Sequence, residues 1–430
     1  MEQCWKRLAQ GVELACVRTD QFKTGLFSVT LAVPLRRETA AAGALIPEVL
    51  YRGSRRWPDI ESISAAVDGL YGASFGPAVR QRGEIQCVSF LCSFIDDCYA
   101  LDGSAVLEPA AELTGEMLLD PVVENGVFRR DYVKSEGANL ADRIRARIND
   151  KWSWSVFRLF QEMCAGEAYS VDKLGTAEEA LTMTPEELWA AYRSLLARAR
   201  VIFYYGGSAD LNRVEDAVRQ AFRPLLTERD VCLNCQVAAE PKGPTRTVEE
   251  IMDVGQGKLA LGLRTGGIVA YSPDYPALLV CNALYGGCSN SKLFANVREK
   301  LSLCYDASSS IDKLKGLMVV TAGVETASLD QTQEVILAQL EAICRGDFSG
   351  EELNAAVRTA ANGLRSRRDS QGCLEDDCVT ALLSGGQTDD GTALIRAVEQ
   401  VTADDVVRAA QKLKLDTVYR LAGKGGAANG

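Results

Sequence analysis

The chain has 430 residues, 47% of them apolar, and a formal net charge of −11. That length supplies two good-sized cores and exceeds one ordinary domain, while the acidic balance argues against a nucleic-acid surface, which needs clustered Lys and Arg. Histidine is absent, which excludes imidazole acid–base chemistry, Ser-His or Cys-His nucleophile activation and His-ligated metals.

The start, Met1-Glu2-Gln3-Cys4-Trp5-Lys6, has no apolar h-region, so no signal peptide is expected. No apolar run approaches the roughly 18 residues of a membrane span. A cytoplasmic location follows as the expectation, with the 14 cysteines reduced. Most of them sit among apolar neighbours, as in Gln86-Cys87-Val88-Ser89-Phe90-Leu91-Cys92, where Cys acts as a small hydrophobe. Cys232-Leu233-Asn234-Cys235 is the lone C-x-x-C, and a structural zinc usually takes four ligands.

In chain order, the pattern predicts strands over 11–17 and 25–34, helices over 39–52 and 59–69, and strands over 71–80 and 84–94. Long helical stretches follow over 103–118, 125–165 and 184–199, then a strand at Val201-Ile202-Phe203-Tyr204-Tyr205 ending at Gly206-Gly207. Thr184 and Thr402 read as helix N-caps with acidic residues in the turn beyond them. Paired strands interrupted by helices, without strict βαβ alternation, predict an α+β fold with a largely antiparallel sheet packed against helices.

The order repeats. Residues 44–90 correspond to 277–323 at a constant displacement, matching Ala44-Leu45 to Ala277-Leu278, Gly53 to Gly286, Leu70 to Leu303 and Gly83 to Gly316. Further on, Phe128 and the run Ala141–Arg147 match Phe348 and Ala361–Arg367, and Thr184-Pro185-Glu186-Glu187-Leu188 matches Thr402-Ala403-Asp404-Asp405-Val406. Two homologous domains are therefore expected, 1–226 and 248–430, joined by a linker over 227–247 that carries Pro241, Gly243 and Pro244.

The second half contains Leu284-Tyr285-Gly286-Gly287-Cys288-Ser289-Asn290-Ser291-Lys292-Leu293-Phe294, then Arg298-Glu299 and, seven residues after the Arg, Tyr305. This stretch resembles the C-terminal signature of the insulinase/pitrilysin peptidase family, and Gln256–Gly262 resembles the first strand of such a domain. The resemblance implies an inverted zincin motif, H-x-x-E-H, in the first domain, because residues i, i+3 and i+4 of a helix share one face. The matching stretch here is Leu45-Ile46-Pro47-Glu48-Val49. Leu45 and Val49 stand in place of the histidines and offer no lone pair; Glu48 keeps the place of the general base, and Glu136 is the candidate for the family's third ligand. Pro47 is a second departure, since it would disturb an interior helical turn.

The bland readings are core packing for Leu45 and Val49, and an Arg pair or solvent for Glu48. No catalytic residue, metal or cofactor is expected in this chain. In active members of the family an Arg and a Tyr at this spacing hold the substrate backbone, so the resemblance gives Arg298 and Tyr305 that role; the alternative is an Arg–acid pair and a packed Tyr. The resemblance implies a non-catalytic, substrate-binding subunit of a heterodimeric zinc metallopeptidase. Its partners would be a related zinc-bearing subunit and a peptide, and neither nucleic acid nor membrane. It allows an association with processing or modification of a translation factor. The alternative is a scaffold pseudopeptidase with no part in proteolysis. An enzyme with a metal bound by Cys or carboxylate is disfavoured by the same donor chemistry.

Overall fold

The computed structural model describes residues 1–385 and 391–424, and of Tyr305 the backbone only. In chain order the elements are β1 (Glu2–Ala9), β2 (Val12–Arg18), β3 (Thr24–Pro34), α1 (Arg37–Leu50), α2 (Ile60–Asp68), β4 (Ser74–Arg82), β5 (Ile85–Ile95) and α3 (Leu107–Leu119). The short pair β6 (Val123–Glu124) and β7 (Val127–Phe128) precedes α4 (Arg130–Ala146), α5 (Lys151–Met163), α6 (Ala177–Thr182), α7 (Pro185–Arg198), β8 (Arg200–Gly207) and α8 (Leu211–Ala221). The second half runs β9 (Arg246–Met252), β10 (Gly257–Arg264), α9 (Tyr275–Tyr285), a π-helical segment (Phe294–Lys300), β11 (Cys304–Asp312) and β12 (Leu317–Val324). It ends with α10 (Leu329–Cys344), α11 (Gly350–Arg367), α12 (Gln371–Leu383), α13 (Thr392–Glu399), α14 (Ala403–Gln411) and β13 (Lys414–Gly423).

The chain forms two compact units, each an α+β layer. The sheet of the first has the order β1-β2-β8-β3-β5-β4, and that of the second β9-β13-β10-β12-β11. Strand by strand the two agree. One parallel pair, β2 with β8, matches β9 with β13; the other pairs, β8–β3, β3–β5 and β5–β4, are antiparallel, as are β13–β10, β10–β12 and β12–β11. The corresponding hairpins turn at Gly83, φ 55°, and Gly316, φ 67°, a backbone region costly for other residues. The helices α7 and α14 start alike, with Thr184 and Thr402 each closing a capping box with the acidic residue three positions on. Strand β1 has no counterpart in the second sheet.

Each sheet packs one face on helices of its own half. In the first unit Phe27, Val29 and Leu31 of β3 meet Leu45 and Val49 of α1 in one core; in the second Leu259, Leu261 and Leu263 of β10 meet Leu278 and Val280 of α9. The other face is covered by a helix from the opposite half of the sequence. The second unit takes in Ala146–Ser170, so α5 lies on β10 and β13. There Leu159 packs with Ala260, Tyr419 and Leu421, and Gly262 leaves room for the Met163 sulfur, which a Cβ would approach to 2.5 Å. The first unit takes in the segment from Arg367, so α12 lies on β8 and β2. The exchanged helices occupy the same place in the repeat, each following the long helix α4 or α11.

Several expectations need correction. The compact units are interleaved and do not follow the contiguous ranges 1–226 and 248–430: residues 146–170 count with the second and those from Arg367 with the first. The stretch 125–165 is broken, because Asp150 caps a new helix by accepting from the Trp152 and Ser153 amides. Within 227–247, helix and strand are absent until β9 begins at Arg246. Gln256–Gly262 falls on the second strand of its unit, β10, the counterpart of β3. Pro47 does not interrupt α1, which continues to Leu50; the carbonyl its ring faces belongs to Gly43, and the Tyr51 amide still donates to the Pro47 carbonyl.

Candidate functional site

Helix α1 is rich in Ala and buried on nearly every side from Ala40 to Pro47, so it forms as a central core helix with no side-chain N-cap. Leu45 is 0% exposed and Val49 2%. Both belong to the main apolar cluster of the first unit. Glu48, on the less buried side, accepts from Arg143 Nη1 at 2.7 Å. Glu136 on α4 accepts from Arg52 Nη1 at 2.9 Å and from Asn139 Nδ2 at 2.9 Å. The Arg52 guanidinium also lies over the Tyr132 ring, 4.8 Å from its centre.

Two ion pairs thus cross between α4 and the C-terminal end of α1. Each carboxylate that a metal would need is held by a guanidinium, and the two remaining positions are aliphatic. This donor set does not fit zinc, which requires at least three N, O or S ligands from the protein in a catalytic site. Among the described residues, no group of three or more Cys, Asp or Glu side chains is arranged to hold a metal. The cysteines do not supply one either: burial pushes the Cys92, Cys164, Cys281 and Cys378 thiols up to about 12, away from the thiolate that binds metal.

Arg298 is placed differently. It sits on the π-helical segment Phe294–Lys300, a geometry found disproportionately at functional sites. Its guanidinium lies over the Phe294 ring, 4.5 Å from the centre, and among the described residues its one ion-pair contact is Nε to the adjacent Glu299 at 3.7 Å, with both side chains exposed. That contact is too long for a good hydrogen bond. Tyr305 falls in β11 where the ladder to β12 shifts register between Cys304 and Asp306; its side chain lies outside the described residues. Burial, and less strongly Asp306, raise the Cys304 thiol to about 11 against the pull of the Arg298 charge.

The partners Arg52 and Arg143 were not singled out by the sequence reading. A general signal existed: carboxylates on helices that pack into a core need a cation partner.

Fold and site define a duplicated α+β protein built like a metallopeptidase but without a zinc-binding donor set at Leu45–Val49. A family profile described as peptidase M16 inactive domain matches residues 182–360. A probable inactive metalloprotease, YmfF, of Bacillus subtilis (strain 168) is 33% identical over 417 residues, 97% of each chain. Among solved structures, a conserved protein from Enterococcus faecalis V583 aligns with a TM-score of 0.90 at 25% identity over 100% of both chains. A peptidase M16 inactive domain from Pseudomonas fluorescens aligns with a TM-score of 0.79 at 16% identity over 99% of both. The chain belongs to the peptidase M16 family, as an inactive metalloprotease-like protein.

Proposed function

We propose that this chain is the non-catalytic, substrate-binding subunit of a two-chain zinc peptidase, working beside a related subunit that carries the metal. The observation that carries this reading is the contrast between the half-sites. Glu48 and Glu136 are tied up by Arg143 and Arg52, whereas Arg298 is exposed and, among the described residues, meets a carboxylate only at 3.7 Å, that of Glu299. An exposed guanidinium offers hydrogen-bond donors to a peptide carbonyl, worth most when charge develops on it in the transition state.

The test is reconstitution with the zinc-bearing chain that co-purifies with this one, followed by turnover of an extended peptide. Arg298→Ala and Tyr305→Phe are expected to lower turnover about 10- to 1000-fold, as loss of oxyanion donors does elsewhere, with assembly intact. Unchanged turnover with both substitutions, or no such chain co-purifying, would leave a scaffold role as the better reading.

A further inference from the structure

Strand β1 carries Cys4 directly opposite Cys16 of β2. The antiparallel register runs unbroken from Glu2 with Arg18 to Arg7 with Glu13, so the pair sits in a regular stretch of ladder. In the ladders of the described residues this is the one place where Cys faces Cys. Residues opposite one another in such a ladder have Cα atoms about 4.5–5.5 Å apart and side chains on one face. A disulfide joins residues whose Cα atoms are about 4.4–6.8 Å apart, so the backbone already holds the spacing that the bond needs. Cys4 Sγ reaches the Cys16 carbonyl oxygen at 3.6 Å, and the two thiols also interact with each other.

The two sulfurs differ in access. Cys4 is half-buried on the outermost strand of its sheet, whereas Cys16 is 1% exposed. An oxidant from solvent therefore meets Cys4 first, with Cys16 waiting beside it, which is the arrangement of an attacked thiol and a resolving thiol. Burial raises both thiols, and for Cys4 the hydrogen bond with Cys16 works against it. Thiols held protonated react slowly, so the pair answers sustained oxidant and ignores brief exposure. Strand β1 is also the element with most to gain from a covalent tie. It is hydrogen-bonded to β2 alone, its outer edge is unpaired in the sheet, and Lys6 to Glu215 at 2.5 Å is its ion pair to α8.

We infer that Cys4 and Cys16 are an oxidative modification site, at which hydrogen peroxide forms a cross-strand disulfide that clamps β1 to β2. In the first step the Cys4 sulfur attacks one peroxide oxygen. The S–O bond forms, the O–O bond breaks, and the departing hydroxide takes the thiol proton as water, leaving a sulfenic acid. In the second step the Cys16 sulfur attacks the Cys4 sulfur. The S–S bond forms, the S–O bond breaks, and hydroxide leaves with the Cys16 proton as a second water. The two sulfurs give up two electrons and the peroxide takes them. A dithiol reverses the bond by exchange. The link closes a loop between residues 12 positions apart, which restrains the opened state more than the folded one and suppresses fraying of the sheet edge.

The experiment treats the full chain with rising hydrogen peroxide until the exposed thiols Cys98 and Cys232 are oxidised. Remaining thiols are then alkylated and the unreduced protein is digested with trypsin for mass spectrometry. The expected product joins the peptide that carries Cys4, which ends at Lys6 or Arg7, to Leu8–Arg18, two hydrogens lighter than the sum and separated again by dithiothreitol. Hydrogen exchange of the β1 amides should slow about 10-fold or more in the linked protein. Cys4→Ser, at the half-buried position, should keep the fold, form no link and show no peroxide-dependent slowing; Cys16→Ser should also form no link and let Cys4 be over-oxidised. Cys4 and Cys16 still alkylated when Cys98 and Cys232 are fully oxidised would overturn the inference. So would a link from either residue to Cys378 or to a second chain, or a Cys4–Cys16 link that leaves β1 exchange unchanged.

Discussion

Arg52 donates from Nη1 to Glu136 Oε1 at 2.9 Å, so this largely buried carboxylate already has its counter-ion. The pair between Arg143 and Glu48 repeats the arrangement one turn back on α1. A guanidinium delivers its charge through directed N–H donors and needs a planar approach. Two such pairs therefore brace α1 against α4 where a metal would have drawn the same acids toward one point.

Removing the cation should expose this bracing. Glu136 is largely buried, and Arg52→Ala would leave one of its oxygens without the guanidinium. A loss of about 1–2 kcal/mol is expected. The pair of Glu48 with the half-exposed Arg143 is worth less, about 0.5 kcal/mol. Urea unfolding of Arg52→Ala, Arg143→Ala and the double variant would measure both. Equal losses for the two single variants would contradict the assigned roles.

Restoring the imidazoles should not restore a metal site. Leu45 and Val49 are core residues, so Leu45→His with Val49→His places two polar rings in an apolar cluster at a cost of about 3–5 kcal/mol. Glu48 and Glu136 would still be engaged with Arg143 and Arg52. The expected outcome is a destabilised protein with no stoichiometric zinc, read by metal analysis and by melting temperature with and without zinc. One tightly held equivalent would show that the guanidinium pairs yield easily.

Local chemistry was legible in the sequence, and assembly was less so. Thr184 and Thr402 announced their helices because a hydroxyl three residues before an acid is a complete capping signal. Leu45 and Val49 announced core positions because both are aliphatic and stand in an apolar helix. Strand β1 was missed because Glu2, Lys6 and Arg7 give it a polar pattern, as an edge strand with little burial tends to have. The exchange of α5 and α12 was not legible. The apolar stripe Val156, Leu159, Phe160 and Met163 shows that α5 covers a sheet, but a periodicity does not say which one.

The exchanged helix α12 is pinned by charge. Glu375, 0% exposed, receives Arg80 Nη1 at 2.5 Å and the Ser28 hydroxyl at 3.3 Å, and Asp376 pairs with Arg82. Glu375→Ala removes the acceptor and leaves Arg80 unpaired, an expected loss of about 2–3 kcal/mol. Arg298→Ala, whose side chain is exposed and weakly paired, should stay within about 0.5 kcal/mol of wild type. Chemical denaturation of the two variants side by side checks this. A large loss for Arg298→Ala would make Arg298 a structural residue and weaken its assignment to substrate.

The exchanged segment before Val171 is pinned by a buried charge cluster that makes stability depend on acid. Glu167 pairs with Lys315 at 2.7 Å and with Arg264 at 3.2 Å, and Arg264 also donates to Asp416 and to the Met163 carbonyl. Burial alone would raise the Glu167 carboxyl; the hydrogen bond and charge of Lys315, with the charge of Arg264, outweigh it and hold the group at about 2, below its usual 4.5. The folded state therefore binds its proton later than the unfolded chain does. The stabilisation is complete above about pH 4.5, declines as the pH falls, and is gone below about pH 2. It amounts to roughly 1–3 kcal/mol. Glu167→Gln should lower stability at pH 7 and flatten the loss between pH 5 and pH 2, because no proton is then taken up at this position. Stability measured by urea unfolding at several pH values reads the slope directly. An acid limb as steep in Glu167→Gln as in wild type would mean that other carboxylates govern it, and that the cluster under α5 holds the segment by packing and by the remaining Arg264–Asp416 pair.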